Sequence, residues 1–131
     1  MANTDEIQIG EIIENWAKSV RSKDINGIVA HHSDDILLFD VVEPLQSKGM
    51  AAYKQSWEEV YFPWHSEDGD FTVHELDITA GDDIAFCHGI IHCSGTDTGQ
   101  KVNLEIRLTI GLKKRNGEWV ILHEHHSEVA K

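Results

Sequence analysis

Cysteine, proline and positive charge are all scarce in this chain of 131 residues. It has two cysteines, two prolines, and 11 lysines and arginines against 23 aspartates and glutamates, for a net charge of −12. Cys87 and Cys93 fall on one expected strand, six positions apart, which separates them by roughly 20 Å. A disulfide needs Cα atoms within about 7 Å, so the two cannot pair. Neither has a CxxC partner, which removes a zinc or redox motif. They read as small buried apolar residues of a reducing compartment. The acidic balance repels phosphates and argues against a nucleic-acid partner, and its general effect is solubility. Apolar runs such as residues 36–39 fall far short of the roughly 20 residues a bilayer demands, so no membrane span is expected. Residues 1–6 carry neither the basic nor the apolar part of a signal peptide, which makes the cytoplasm the expected location. Dinucleotide, P-loop, nucleophile-elbow and HExxH motifs are also missing.

What is there suits one soluble domain spanning residues 1–131. The apolar fraction is 40% and the charged fraction 26%, and the length supports one hydrophobic core. Helical patterns come first. Asn3 or Thr4 can cap a helix carrying Ile9, Ile12, Ile13, Trp16, Ala17 and Val20 on one stripe. Asp24 can cap a short second helix with Ile25, Ile28, Val29 and His32 turned inward. Residues 36–42 read as a buried strand stopped by Pro44. Ser47 opens a third helix with Met50, Tyr53, Trp57, Val60 and Tyr61 on one face, ended by Pro63. A polar loop covers residues 65–70.

Strands follow at residues 71–80, 84–94, 102–113 and 118–127. In the third of these, Val102, Leu104, Ile106, Leu108, Ile110 and Leu112 alternate strictly with more polar residues. Asn116-Gly117 fits a hairpin turn with positive φ. Hairpin-linked strands make a sheet that is mostly antiparallel, and segregated helices and strands give an α+β class.

This order resembles the NTF2-like superfamily. The segments 85–88 (AFCH), 107–109 (RLT) and 117–127 (GEWVILHEHHS) are similar to SnoaL-like proteins related to ketosteroid isomerases. The C-terminal motif is also similar to the association domain of calmodulin-dependent kinase II. Asp34-Asp35, Phe39-Asp40, Gly49 and Trp57 match the N-terminal half. The resemblance implies a cone: a curved sheet packed on three helices around a pocket.

The resemblance places Asp40 where steroid isomerases carry their general base, and a desolvated carboxylate there could have a raised pKa. A solvated strand-end aspartate is the plain alternative. The isomerase donors, a tyrosine and a protonated aspartic acid, are replaced at the matching positions by Trp16 and Thr109. Arg107 and Thr109 face the interior in the SnoaL-like pattern, where Arg107 could hold a ligand oxyanion or pair with Glu105 or Asp40. His88 and His125 are the favoured acid–base histidines. His123 shares a face with His125, and His126 lies opposite both. A histidine metal site is a minority reading, and neither metal nor cofactor is required. Trp16 and Trp57 are expected in core or pocket wall. The expected catalytic set is therefore Asp40, His88 and His125, with Arg107, Thr109, Trp16, Trp57 and His123 binding.

Two functions fit these residues. One is an acid–base isomerase, cyclase or hydratase acting on a small carbonyl-containing molecule in an internal pocket. The other is a non-catalytic ligand-binding or assembly module. A polar, pocket-facing side of the sheet with an apolar outer side would predict a homodimer.

Overall fold

The computed structural model describes residues 4–66 and 69–130. The cap expected at Asn3 and part of the loop at residues 65–70 lie outside the described residues. Helix α1 (Thr4–Arg21) turns Ile9, Ile13, Trp16, Ala17 and Val20 inward. Its acidic first turn is held in place: Asp5 accepts a hydrogen bond from Trp119 Nε1 at 3.0 Å and pairs with Lys114 Nζ at 2.9 Å. Helix α2 (Ile25–Val29) follows Asp24, which stands at the cap position without a side-chain capping bond.

Strand β1 (His32–Phe39) begins four residues earlier than the apolar run suggests. His32, expected on the second helix, is therefore a buried strand residue. Ser47 does not open a helix. With Lys48 it forms β2 (Ser47–Lys48), antiparallel to Leu37 and Leu38. Gly49, at φ 92°, makes the turn into α3 (Met50–Gln55), a backbone conformation that favours glycine.

The helix then widens into a π-helical stretch, Ser56–Tyr61, and closes with α4 (Phe62–Trp64). Phe62 N–H reaches back five residues to Trp57 O. Pro63 sits at the start of α4 rather than ending the helical run. A proline is tolerated in a first turn, where its missing N–H is least needed.

The remaining strands are β3 (Phe71–Ala80), β4 (Ile84–Asp97), β5 (Gln100–Arg115) and β6 (Glu118–Ser127). The sheet order is β2-β1-β6-β5-β4-β3. Only the β1–β6 pairing is parallel. Ile106, Leu108, Ile110 and Leu112 are buried in one core with the stripe of α1. At about 25 cal/mol per Å² of apolar surface removed from water, this is the face the helices must cover. The polar face of β5 is consequently the outer one, against expectation, and Arg107 and Thr109 are exposed. An apolar outer face on β5 is thus no reason for pairing.

In β6 the alternation breaks. Ile121 pairs with Leu112 and His123 with Gly111, so one extra residue enters the strand. Trp119 and Ile121 point inward before this β-bulge, Glu124 and His126 after it. A bulge adds one residue and re-aims every side chain beyond it.

Candidate functional site

A hollow of about 220 Å³ opens between the π-helical stretch and the inner face of the sheet. The helical side contributes Ser56, Trp57, Val60, Tyr61 and Trp64. The sheet contributes Phe71, Ile91, Cys93, Leu104 and Ile106. Its charged groups are Asp40 at the end of β1, His126 on β6, and Glu128 just beyond. A π-helical turn shifts side chains around the helix axis and often accompanies functional sites. Here it presents Trp57, Val60 and Tyr61 to one hollow.

Trp64 closes one side, and Gly95 makes room for it. A Cβ on Gly95 would lie 2.2 Å from Trp64 Cδ2. Gly95→Ala is therefore expected to push the indole out, at about 1–3 kcal/mol for overpacking. Urea melts together with a red shift in tryptophan emission would show it. Unchanged stability and emission would mean that Trp64 does not depend on this gap.

Behind the polar wall runs a buried chain of ionisable groups. His126 Nδ1 lies 3.5 Å from Asp40 Oδ1, and its Nε2 lies 3.1 Å from Glu124 Oε1. Glu124 is 0% exposed. Its other oxygen, Oε2, contacts His32 Nε2 and accepts a hydrogen bond from Tyr53 OH at 2.7 Å. Trp16 Nε1 donates to Tyr53 OH at 3.2 Å. His32 Nδ1 lies 3.0 Å from Ala30 O and donates to it. Tyr53 OH also lies 3.0 Å from His32 Nε2.

These neighbours set the charges. Burial opposes the charge on Glu124, but His32 and His126 outweigh it and pull the carboxyl down to about 2. Burial also opposes charge on His126, but the flanking Asp40 and Glu124 push it up to about 9. At Asp40 burial again works against charge. Contact with His126 and the Val41 N–H, donated to Oδ1 at 2.7 Å, leave its pKa below the ordinary range. An imidazolium between two carboxylates is the expected outcome, since each stabilises the charged form of the next.

Two further wall groups are unusual. Trp57 Nε1 and Tyr61 OH are buried without a hydrogen-bond partner. Burial, with the nearby Cys93 sulfur, pushes the Tyr61 hydroxyl upward, so it stays a neutral donor. The sulfur itself is not placed as a hydrogen-bond partner. Burial pushes the Cys93 thiol up to about 11. A thiol so rarely ionised is a poor nucleophile.

Of the residues expected from sequence, Asp40 and Trp57 line the hollow. Trp16 stands one layer behind, 5.9 Å from Trp57 and 6.2 Å from His126 between ring centroids. The others are elsewhere. His88 and His125 are exposed on the outer face, His88 beside Phe86 and His125 beside Phe39. Arg107 donates to Ser127 Oγ and Glu128 O in solvent, and Thr109 is exposed next to it in register with His125. His123 donates to Leu37 O at 2.8 Å and lies against Phe39.

The cause is shared: the apolar face of β5 turned inward, and the bulge in β6 delivered His126 in place of His125. Glu124, His32 and Tyr53 were not anticipated as site residues. The period of β6 alone gives no sign of the bulge that brings Glu124 inside. Among the described residues, no three His, Cys, Asp or Glu side chains gather in a metal-binding arrangement.

The comparisons fit this geometry. A family model described as a SnoaL-like domain matches residues 9–131. An NTF2-like protein of unknown function from Pseudomonas putida KT2440 is 33% identical. It covers 100% of this chain and 91% of its own, with a TM-score of 0.88. A ketosteroid isomerase-like protein from Erwinia carotovora atroseptica is 18% identical over 99% of this chain and 100% of its own, with a TM-score of 0.83. A protein provisionally named a dehydratase of the NTF2-like family, from Streptomyces avermitilis, is 14% identical over 98% of both chains, with a TM-score of 0.81. A search of curated proteins finds no match.

Proposed function

Because this chain belongs to the SnoaL-like family, we propose that it is an acid–base enzyme of the hydratase or isomerase kind, acting on a small carbonyl compound. The observation that carries the reading is the Asp40–His126 ion pair in the wall of a mostly apolar hollow. The pair offers a proton acceptor and a proton donor within a few ångströms, which is what elimination beside a carbonyl needs.

In the dehydration direction, Asp40 takes the proton from the carbon next to the carbonyl. The electrons flow toward the carbonyl oxygen and then return to form the carbon–carbon double bond. His126 Nδ1–H, only loosely held at 3.5 Å from Asp40 Oδ1, protonates the departing hydroxyl, which leaves as water, and the proton taken up by Asp40 then returns to Nδ1. Glu124 holds the imidazole ring and offsets its charge. Both contacts to Asp40 fall on Oδ1, so Oδ2 is the oxygen for substrate. A carboxylate held below its usual pKa is a weak base. Asp40 keeps 25% of its side chain exposed, and an apolar substrate covering that edge removes water from the carboxylate and raises its basicity. The similarity to an isomerase-like protein and a dehydratase-like protein supports the reaction class.

The test is deuterium exchange at the α-carbon of 2-tetralone, followed by NMR in D2O. The protein is expected to accelerate exchange, and Asp40→Asn to lower the acceleration about 10²-fold or more. Circular dichroism checks that the variant is folded. A folded Asp40→Asn protein that exchanges as fast as the parent would remove Asp40 as the base.

A further inference from the structure

The hollow is not alone. A second groove of about 380 Å³ lies beside it, and the two share Asp40, Val42, Ser56 and Val60 as a common wall. By itself the inner hollow is smaller than the roughly 300 Å³ at the low end of ligand pockets, whereas the two together fall inside the usual range. Their chemistries differ. The inner hollow is walled mainly by aromatic and aliphatic side chains. The outer groove carries Glu43, Gln46, Lys48, Gln55 and Glu59.

We infer that the substrate has two parts: a flat apolar ring in the inner hollow, and an uncharged arm rich in hydroxyls in the outer groove. The reacting carbon lies where the two join, beside Asp40. This rests on the acid–base reading above.

Three facts lead to that arm. The outer groove has three carboxylates, those of Asp40, Glu43 and Glu59, against one cation, Lys48. Gln55 Nε2 donates to Glu59 Oε2 at 2.9 Å, which uses one of its two N–H groups while its amide oxygen remains an acceptor. The groove is thus rich in hydrogen-bond acceptors, which hydroxyl groups satisfy. Finally, neither lysine nor arginine lines the inner hollow among the described residues, and the chain carries a net charge of −12. A carboxylate or phosphate arm in the outer groove would face three carboxylates against the single ammonium of Lys48 and meet net repulsion. Val42 and Val60 are each 46% exposed at the shared wall, so the passage between the compartments is itself apolar and open to solvent.

Calorimetric titration with three probes tests the inference: 2-naphthol, 2-naphthyl β-D-glucopyranoside and 2-naphthyl phosphate. The glucoside is expected to bind about tenfold more tightly than naphthol, through added hydrogen bonds. The phosphate is expected to bind more weakly than naphthol. Glu59, exposed and lining only the outer groove, provides the second arm of the test. Glu59→Lys should tighten the phosphate and weaken the glucoside, with naphthol unchanged.

A glucoside no tighter than naphthol, a phosphate as tight as the glucoside, or a Glu59→Lys protein with the parent's preferences would each overturn the two-part substrate. Those results would leave the Asp40 exchange assay standing. Conversely, a failed exchange assay with the probe ranking intact would remove the acid–base reading and keep the binding preference.

Discussion

Replacing Glu124 by alanine is expected to cost about 3–5 kcal/mol of folding stability, the usual price of leaving a buried charge without its partner. Glu124 is 0% exposed and sits among His32, Tyr53 and His126. Alanine would leave an imidazolium at His126 with Asp40 as its remaining counter-charge, and would take from Tyr53 OH its carboxylate acceptor, leaving His32 Nε2 as its neighbour at 3.0 Å. The neighbouring groups are themselves packed against Trp16 and Trp57, so water cannot easily replace the lost carboxylate. Urea denaturation at neutral pH measures the effect. Glu124→Gln should lose less, because an amide oxygen still accepts from Tyr53. A loss of under about 1 kcal/mol for the alanine variant, within the range of ordinary substitutions, would show that the buried chain of charges is not needed by the fold.

The second large effect is on the pH dependence of stability. The Glu124 carboxyl is at about 2 in the fold against an ordinary 4.5. The unfolded chain therefore takes up that proton first as the pH falls. Its stabilisation is complete above about pH 4.5 and disappears toward pH 2. His126 has the opposite sign, at about 9 in the fold against an ordinary 6.5. Its stabilisation is complete below about pH 6.5 and is lost as the pH rises through 9.

Both contributions are whole only between about pH 4.5 and 6.5, and stability should peak there. Asp40, whose pKa is also lowered, adds to the fall on the acid side. General repulsion in so acidic a chain grows with pH too, so the informative quantity is a difference. The stability gap between the parent and His126→Gln should shrink between pH 6.5 and 9. A gap that stays constant over that interval would show that His126 is not charged in the fold.

Much of this architecture is legible without coordinates. The stripe of α1 and the limits of β3 and β6 follow from local periodicity and turn residues, which act over a few positions. The strict alternation of β5 marks a strand wherever it lies. Asp40 was legible as a site residue through the family resemblance, and the structure gives it the parity of Ile36 and Leu38, which the core takes in. Alternation, however, states only that a strand has two faces. Which of them is inside depends on what covers it, and here the apolar stripe of α1 claimed the apolar face of β5. That choice sent Arg107 and Thr109 to solvent.

The tertiary structure also decided the parity of β6. One inserted residue near Leu122 satisfies the pairing with β5 and leaves no mark in the pattern of residue types, yet it exchanges His123 and His125 for Glu124 and His126. His32 shows the same limit from another direction. It reads as a helix residue in isolation and becomes part of the site because β1 lies parallel to β6, bringing together groups 92 positions apart in the chain. Local spacing specifies the elements. The chemistry of the hollow arises from long-range packing, because only there do burial and neighbouring charge act on the same side chains.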